Sequence, residues 1–432
     1  MSVGEAIDTL WILVAATLVL LMQGGFLCLE SGLTRSKNAI NVALKNVFDL
    51  LVVSVLYWLL GFTLMFGEHA GGWPDLSWLA ADFTRTDSRE SAFFLFQLTF
   101  CATAATIVSG AIAERSRFIT YALITMLIAG LIYPIVGHWS WSGAFNESGG
   151  WLQALGFVDF AGSSVVHGVG GWVALAAVIV IGPRRGRFED GEVRDIPGSN
   201  LPLTMLGMLF FVIGWLGFNG GSTLAFNAQV PGIIVNTVLA GAAGGIVALL
   251  VSNLWLPDGK VTSLTINGTL SGLVAVTAGV HAVATPSAVL IGAVGGLVMV
   301  LADEMMLRLK LDDAISAVPV HLFAGIWGTL AVAFLGQAER LQTGLSFSGQ
   351  LQAQLLGIVV IGVFSFSLAM GFLLLLQRLM LLRVSPSGEM EGLNVAEHGA
   401  RTELNDVLVT MAQQEKTGDL TQRLPVEPFT EV

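Results

Sequence analysis

The sequence predicts an all-α membrane protein of eleven transmembrane helices. Three observations carry this: 54% of the 432 residues are hydrophobic, only 12% are charged against roughly 25% in globular proteins, and the charges avoid long stretches of chain. Residues 9–29, 91–113, 118–146, 160–183, 196–257, 261–302, 314–338 and 341–377 contain no Asp, Glu, Lys or Arg. A helix crosses the ~30 Å hydrocarbon layer with about 20 apolar residues. The runs 196–257 and 261–302 therefore hold two helices each, split near Ser222 to Pro231 and near His281 to Pro286. Eight runs thus give ten crossings, and residues 46–66, interrupted by Asp49, give one more. A β-barrel would show short alternating segments, whereas these runs are continuous and rich in Leu, Val, Ala and Gly. The composition excludes a disordered chain and an ordinary soluble enzyme.

The first segment, MSVGEAIDTLWILV, carries Glu5 and Asp8 where a signal peptide needs positive charge, so no cleavage is expected. The two cysteines, Cys28 and Cys101, fall inside expected helices and indicate packing residues, not a disulfide framework. Of the net charge of −11, −5 comes from residues 383–432, where nine acidic residues face four basic ones. Basic residues gather after odd-numbered helices: Arg35, Lys37 and Lys45, then Arg115 and Arg117, then Arg184, Arg185 and Arg187, then Lys260, Arg308, Lys310 and Arg383. The loop at 67–90 is instead acidic, with Glu68, Asp75, Asp82, Asp87 and Glu90 against Arg85 and Arg89. The positive-inside rule then places the N-terminus outside and the C-terminus in the cytoplasm.

Eleven helices divide into five, five and one. The fifth carries His167 in SSVVHGVGG and the tenth carries His321 in VPVHLFAGIWG. An offset of five reverses direction, so the two helices run antiparallel, as in the inverted halves of transporters that meet around a mid-membrane site. Each His is expected seven to ten residues into its helix, roughly 10–15 Å from opposite faces, so the pair meets near the centre. An ionisable residue at that depth is costly and marks a pathway. His69, His138 and His281 are expected at solvated outer edges, and His398 in a solvated tail. The small-residue clusters GAAGG (241–245), GAVGG (292–296) and HGVGG (167–171) allow close helix packing and receive no chemistry.

Asp159 opens DFAGSSVVHGVGG, where a carboxylate caps the helix N-terminus and favours a nearby cation. Phe100, Trp141, Phe218 and Trp215 are expected at outer positions; singly each would be an interfacial anchor. Converging with Ser222, they form a cation–π and hydrogen-bonding site.

These motifs resemble the ammonium transporter branch of the Amt/Rh/methylammonium permease family. The resemblance covers roughly residues 5–400, through MQGGFLCLESGLTRSKN, FQLTFCATAATIVSGAIAER, DFAGSSVVHGVGG, GWLGFNGGS, LDDAISAVPVH and EGLNVAEHG. It implies a homotrimer of eleven-helix subunits, each with its own pore, in the inner cell membrane. It implies an outer ammonium site at Trp141, Ser222 and Phe100 with Phe96 and Trp215 nearby, and a gate of Phe100 over Phe218. It further implies the pore pair His167 and His321, an essential carboxylate at Asp159, and a pore-lining Thr277. Where the family commonly has Gly after the second His and an acidic residue five before it, this chain has Leu322 and Ser316.

The mechanism expected is ammonium recruitment, deprotonation and passage of neutral ammonia, with the proton relayed separately. No nucleophile–base pair, phosphate loop or metal cluster points to an enzyme, a cofactor or nucleic-acid binding. The chain divides into a transmembrane domain (1–382) and a C-terminal segment (383–432), where Leu404, Val407, Leu408 and Met411 share one helical face. Two readings of that segment stay open: a regulatory tail that a PII-type regulator could engage, or a connector to a signalling output domain. In the second reading the membrane part is an ammonium sensor with little or no flux.

Overall fold

The computed structural model describes residues 1–67, 69–70, 73–74, 78–144, 149–255, 260–401 and 411. Among them ten helices are long and apolar enough to cross a membrane. These are α1 (Val3–Leu33), α2 (Ser36–Phe66), α3 (Ser88–Ala111), α4 (Phe118–Ala144), α5 (Ser163–Ile181), α6 (Leu201–Gly221) and α7 (Val230–Trp255), then α9 (Thr285–Arg308), α10 (Val318–Leu335) and α11 (Phe347–Arg378). Between α7 and α9 lies α8 (Val261–Thr277), an apolar helix of only 17 residues. The remaining order is two two-residue β-ladders in connecting loops, short turns, and the C-terminal helices α12 (Pro386–Glu391) and α13 (Leu393–His398).

Close packing rests on the small residues. A Cβ on Gly244 would meet the Gly268 carbonyl at 2.4 Å, and one on Gly296 would meet the Gly244 carbonyl at 2.2 Å. Only glycine lets α7, α8 and α9 approach so closely, which suits association in lipid, where packing replaces the hydrophobic drive. α1 lies along α6 in the same way, with Gly207 against the backbone of Gly25 and Leu29. Leu239, Ile246 and Leu250 on α7 and Leu356, Val359 and Val363 on α11 stay exposed, an apolar outer surface.

The structure corrects two of these expectations. Helix α2 begins at Ser36, so Lys37 and Lys45 lie within it and not in a loop. Lys45 is fully buried and donates to Ser116 Oγ at 2.7 Å, while buried Asp49 accepts from the Tyr121 hydroxyl; helix geometry turns these polar groups inward. His138, His281 and His398 are half-buried and engaged, not solvated. Nδ1 of His138 donates to the Met65 carbonyl at 2.9 Å, His281 stacks on Phe160 at 4.2 Å, and His398 meets Asn41 Nδ2 at 2.9 Å and the edge of Phe118. Glu68, Asp75, the His69 side chain and the tail face, apart from Met411, lie outside the described residues. Cys28 and Cys101 are both free.

The basic loops converge on one end. Glu114 pairs with Arg35 at 2.9 Å and Arg184 at 3.1 Å, and Arg184 pairs with Asp312 at 2.8 Å, all but Arg35 being essentially inaccessible. Burial raises both carboxyls, but Arg184, with Arg35 at Glu114 and Arg115 at Asp312, holds them below the ordinary range. Arg383 and Arg185 clasp Glu389 of α12 at 2.8 and 3.7 Å, the Leu393 N–H of α13 donates to Asn38 Oδ1 and the Asn41 N–H donates to Asn394 Oδ1, so the segment after α11 docks on this end. Removing one partner of a buried ion network leaves uncompensated charge, typically about 3–5 kcal/mol. Arg184→Ala is expected to destabilise by that order, seen as a drop in the thermal midpoint of detergent-purified protein; an unchanged midpoint contradicts the network's role.

Candidate functional site

The site is built where α5 and α10 begin. Asp159, 4% exposed, accepts from the backbone N–H groups of Gly162 (3.1 Å), Ser163 (2.8 Å), Ser164 (2.8 Å) and Val165 (2.8 Å). This satisfies donors that a helix start otherwise leaves orphaned. Gly162 closes the loop at φ +117°, a conformation that side chains disfavour. Asp313 does the same before α10, accepting from Ile315 (3.2 Å) and Val318 (2.6 Å). Burial pushes each carboxyl up to about 6, outweighing the bonds from Val165 and its neighbours at Asp159 and from Val318 and its neighbours at Asp313.

Because these caps consume the residues before them, α5 starts only four residues ahead of His167 and α10 only three ahead of His321. The seven to ten expected residues are not there. The histidines meet because the N-terminal ends of the two helices overlap: a Cβ on Gly325 would meet the Ser163 carbonyl at 2.5 Å, and one on Gly171 would meet Leu322. Both first turns are wound as π-helix, a form often found at functional sites. His167 Nδ1 and His321 Nδ1 stand 3.1 Å apart with ring centroids at 5.2 Å. One Nδ1 must carry the hydrogen and the other the lone pair, so the pair shares one proton across the contact. His167 is fully buried, and its Nε2 has no partner among the described residues.

Above the pair, Phe218 faces His167 at 5.5 Å and stacks on Phe100 at 4.0 Å and 10°. Both phenyl rings are at most 1% exposed. Phe100 meets the Trp141 edge at 6.1 Å and Phe96 at 4.6 Å. An open pocket of about 60 Å³ lies beyond, lined by Phe96, Gln97, Phe100, Trp141, Phe160 and Ser222 among others. Trp141 is fixed by its Nε1–H donating to the Asp159 carbonyl at 2.7 Å. The Ser222 hydroxyl donates to the Phe218 carbonyl at 2.8 Å, which leaves its oxygen as an acceptor.

Trp215 is not at this pocket as expected. It is fully buried, stacks on His167 at 5.1 Å, and donates from Nε1 to Thr277 Oγ1 at 2.9 Å. The hydrophobic core and not the outer surface takes this indole, because Thr277 offers the acceptor that a buried N–H requires. Thr277 in turn donates to the Leu273 carbonyl at 2.7 Å.

Residues 10–403 match the sequence profile of the Ammonium Transporter Family. The chain belongs to that family. This ammonium transporter family chain is 50% identical to a putative ammonium transporter of Synechocystis over 99% of its own length and 80% of that protein's. It is 39% identical to ammonium transporter Amt2 of Archaeoglobus fulgidus, over 91% of this chain and 87% of that one. Among solved structures, one described as a sensor Amt protein superposes with a TM-score of 0.87 at 41% identity, covering 92% of this chain and 99% of that one. The family consists of transporters and not enzymes, and this chain is a multi-pass membrane protein of it.

Asp313 and Phe160 were missed in the sequence. The signal for Asp313 was available: Asp159 precedes His167 by eight residues, and Asp313 precedes His321 by eight. Leu322 packs against Gly171 and Ser316 donates to Asp303, so both departures from the family pattern are accommodated locally. A carboxyl whose folded value is raised binds its proton more tightly when folded, so stability is fully present below the ordinary value near 4 and declines as pH rises through about 6. Melting midpoints of purified protein are expected to fall across that window, and less steeply in Asp159→Asn. A profile of equal slope in the two proteins counts against the buried cap.

Proposed function

We propose that this chain moves ammonium by recruiting the cation outside, stripping one proton, and passing neutral ammonia between the two histidines while the proton crosses separately. The contact between His167 Nδ1 and His321 Nδ1 at 3.1 Å carries this reading. Taking an intact cation into a dry apolar interior costs, by an idealised measure, of order 20 kcal/mol, and a desolvated cation–π contact returns only about 2 kcal/mol. Phe100, Trp141, Phe96 and the Ser222 oxygen suffice to hold ammonium at the mouth but not to carry it past the Phe100–Phe218 stack. Ammonium can shed a proton and continue as ammonia; potassium and sodium cannot, which is the basis of selectivity. Asp159 adds negative charge near the mouth and positions Trp141 and α5. The unpartnered His167 Nε2 offers ammonia a hydrogen-bond partner, and Trp215 with Thr277 holds that ring in place.

In this reading α8 is a further crossing, giving eleven, with the N-terminus outside and the basic end in the cytoplasm of an inner-membrane homotrimer. Residues 1–382 form the transport domain and 383–432 the cytoplasmic segment, the docking place for a PII-type regulator or the link to a signalling domain. A second reading has the likeness to the sensor Amt protein in its favour: ammonium binds at the outer pocket and the signal leaves through the docked segment, with little or no flux.

Reconstituted protein on a supported membrane is expected to give a transient current on an ammonium pulse. Substituting His167 and His321 together by Leu is expected to abolish it, and undiminished current in that variant rejects the relay. Ammonium binding without current in the unsubstituted protein favours the sensor.

A further inference from the structure

A cavity of about 130 Å³ lies at the basic end, bordered by Asp303 of α9, by Ser316 and Asp313 before α10, and by Lys260, Arg187 and Asn267. It also touches Leu33 on α1. Phe26, seven residues earlier on α1, faces His321 at 6.3 Å. Seven residues of helix span about 10 Å, so the cavity opens that far beyond the imidazole pair, on the side opposite the outer pocket.

Most of its charged groups are already committed. Arg187 faces Asp195 and Asp312 at 3.4 Å each, Arg184 holds Asp312 and Glu114, and Asp313 spends its oxygens on the first turn of α10. Asp303 differs. Among the described residues its carboxylate receives a single hydrogen bond, from Ser316 Oγ at 2.6 Å. Ser316 makes that bond from a left-handed backbone at φ +64°, a costly conformation for a residue with a side chain and one that clusters at functional positions. Lys260 borders the same cavity and has no salt bridge or side-chain hydrogen bond among the described residues.

We propose that Asp303 is the proton-transfer group at this mouth, taking up the proton that leaves the histidine pair and handing it to emerging ammonia. The inference rests on the transport reading above. The carboxylate binds the proton through cavity water and becomes a carboxylic acid. The acid's O–H bond then breaks as the ammonia lone pair takes the proton, giving ammonium and restoring the carboxylate. Ser316 is the positioning residue, its hydroxyl donating to the carboxylate.

The test is the ammonium-evoked current of the full chain on a supported membrane. Asp303→Asn is expected to lower it by about a hundred-fold or more, the usual contribution of an acid–base group, while Asp303→Glu keeps most of it. The exchange variant Asp303→Ser/Ser316→Asp, which leaves one carboxylate in the same cavity, is expected to recover current and covers the case in which Asp303→Asn fails to insert. Unchanged current in Asp303→Asn overturns the assignment, as does equal loss in the Asn, Glu and exchange variants. Absence of current in the unsubstituted protein overturns the transport reading and this assignment together; current there with none of the expected losses overturns this assignment alone.

Discussion

Two buried imidazoles facing each other through their Nδ1 atoms at 3.1 Å are the constraint around which this protein is arranged. Such a contact tolerates only one hydrogen between the rings, since a second would leave neither Nδ1 a lone pair to accept it. Every neighbouring feature serves it. Trp215 covers His167 from one side, Phe218 from above, and Phe26 lies beyond His321. None of these groups carries a charge.

Holding two helix starts against each other inside a membrane raises a second difficulty: each exposes backbone N–H groups that lipid cannot satisfy. Asp159 and Asp313 meet that need internally, and their carboxylates lie at opposite ends of the imidazole pair. The same two residues therefore terminate the loops, set the entry point of α5 and α10, and fix the depth of the histidines. The buried ion network of Glu114, Arg184 and Asp312 braces the connections behind them at the basic end. There the segment after α11 is clasped through Glu389, so anything acting on that segment acts on the loops of this end.

The helical crossings were legible in the charge-free runs because lipid excludes charge over about 20 residues, and the structure departs from those runs by only a few positions at most ends. α2 is the exception: its polar first turns, with Lys37 and Lys45, read as loop although they form helix packed against its neighbours. Phe100, Trp141 and Ser222, grouped in the sequence by their motifs, line one open pocket in the structure. Trp215 was misplaced because a sequence does not say whether an indole faces the surface or a buried hydroxyl such as Thr277.

By itself the sequence determined which segments are long and apolar enough to cross a membrane and where the basic residues cluster, since these follow from hydropathy and charge. Only the tertiary structure decided that the helices overlap at their starts, that Asp313 mirrors Asp159, and which face of each ring meets the other. Those are contacts between residues about 150 positions apart. They depend on how closely glycines let the helices approach, a quantity no local pattern of residues encodes.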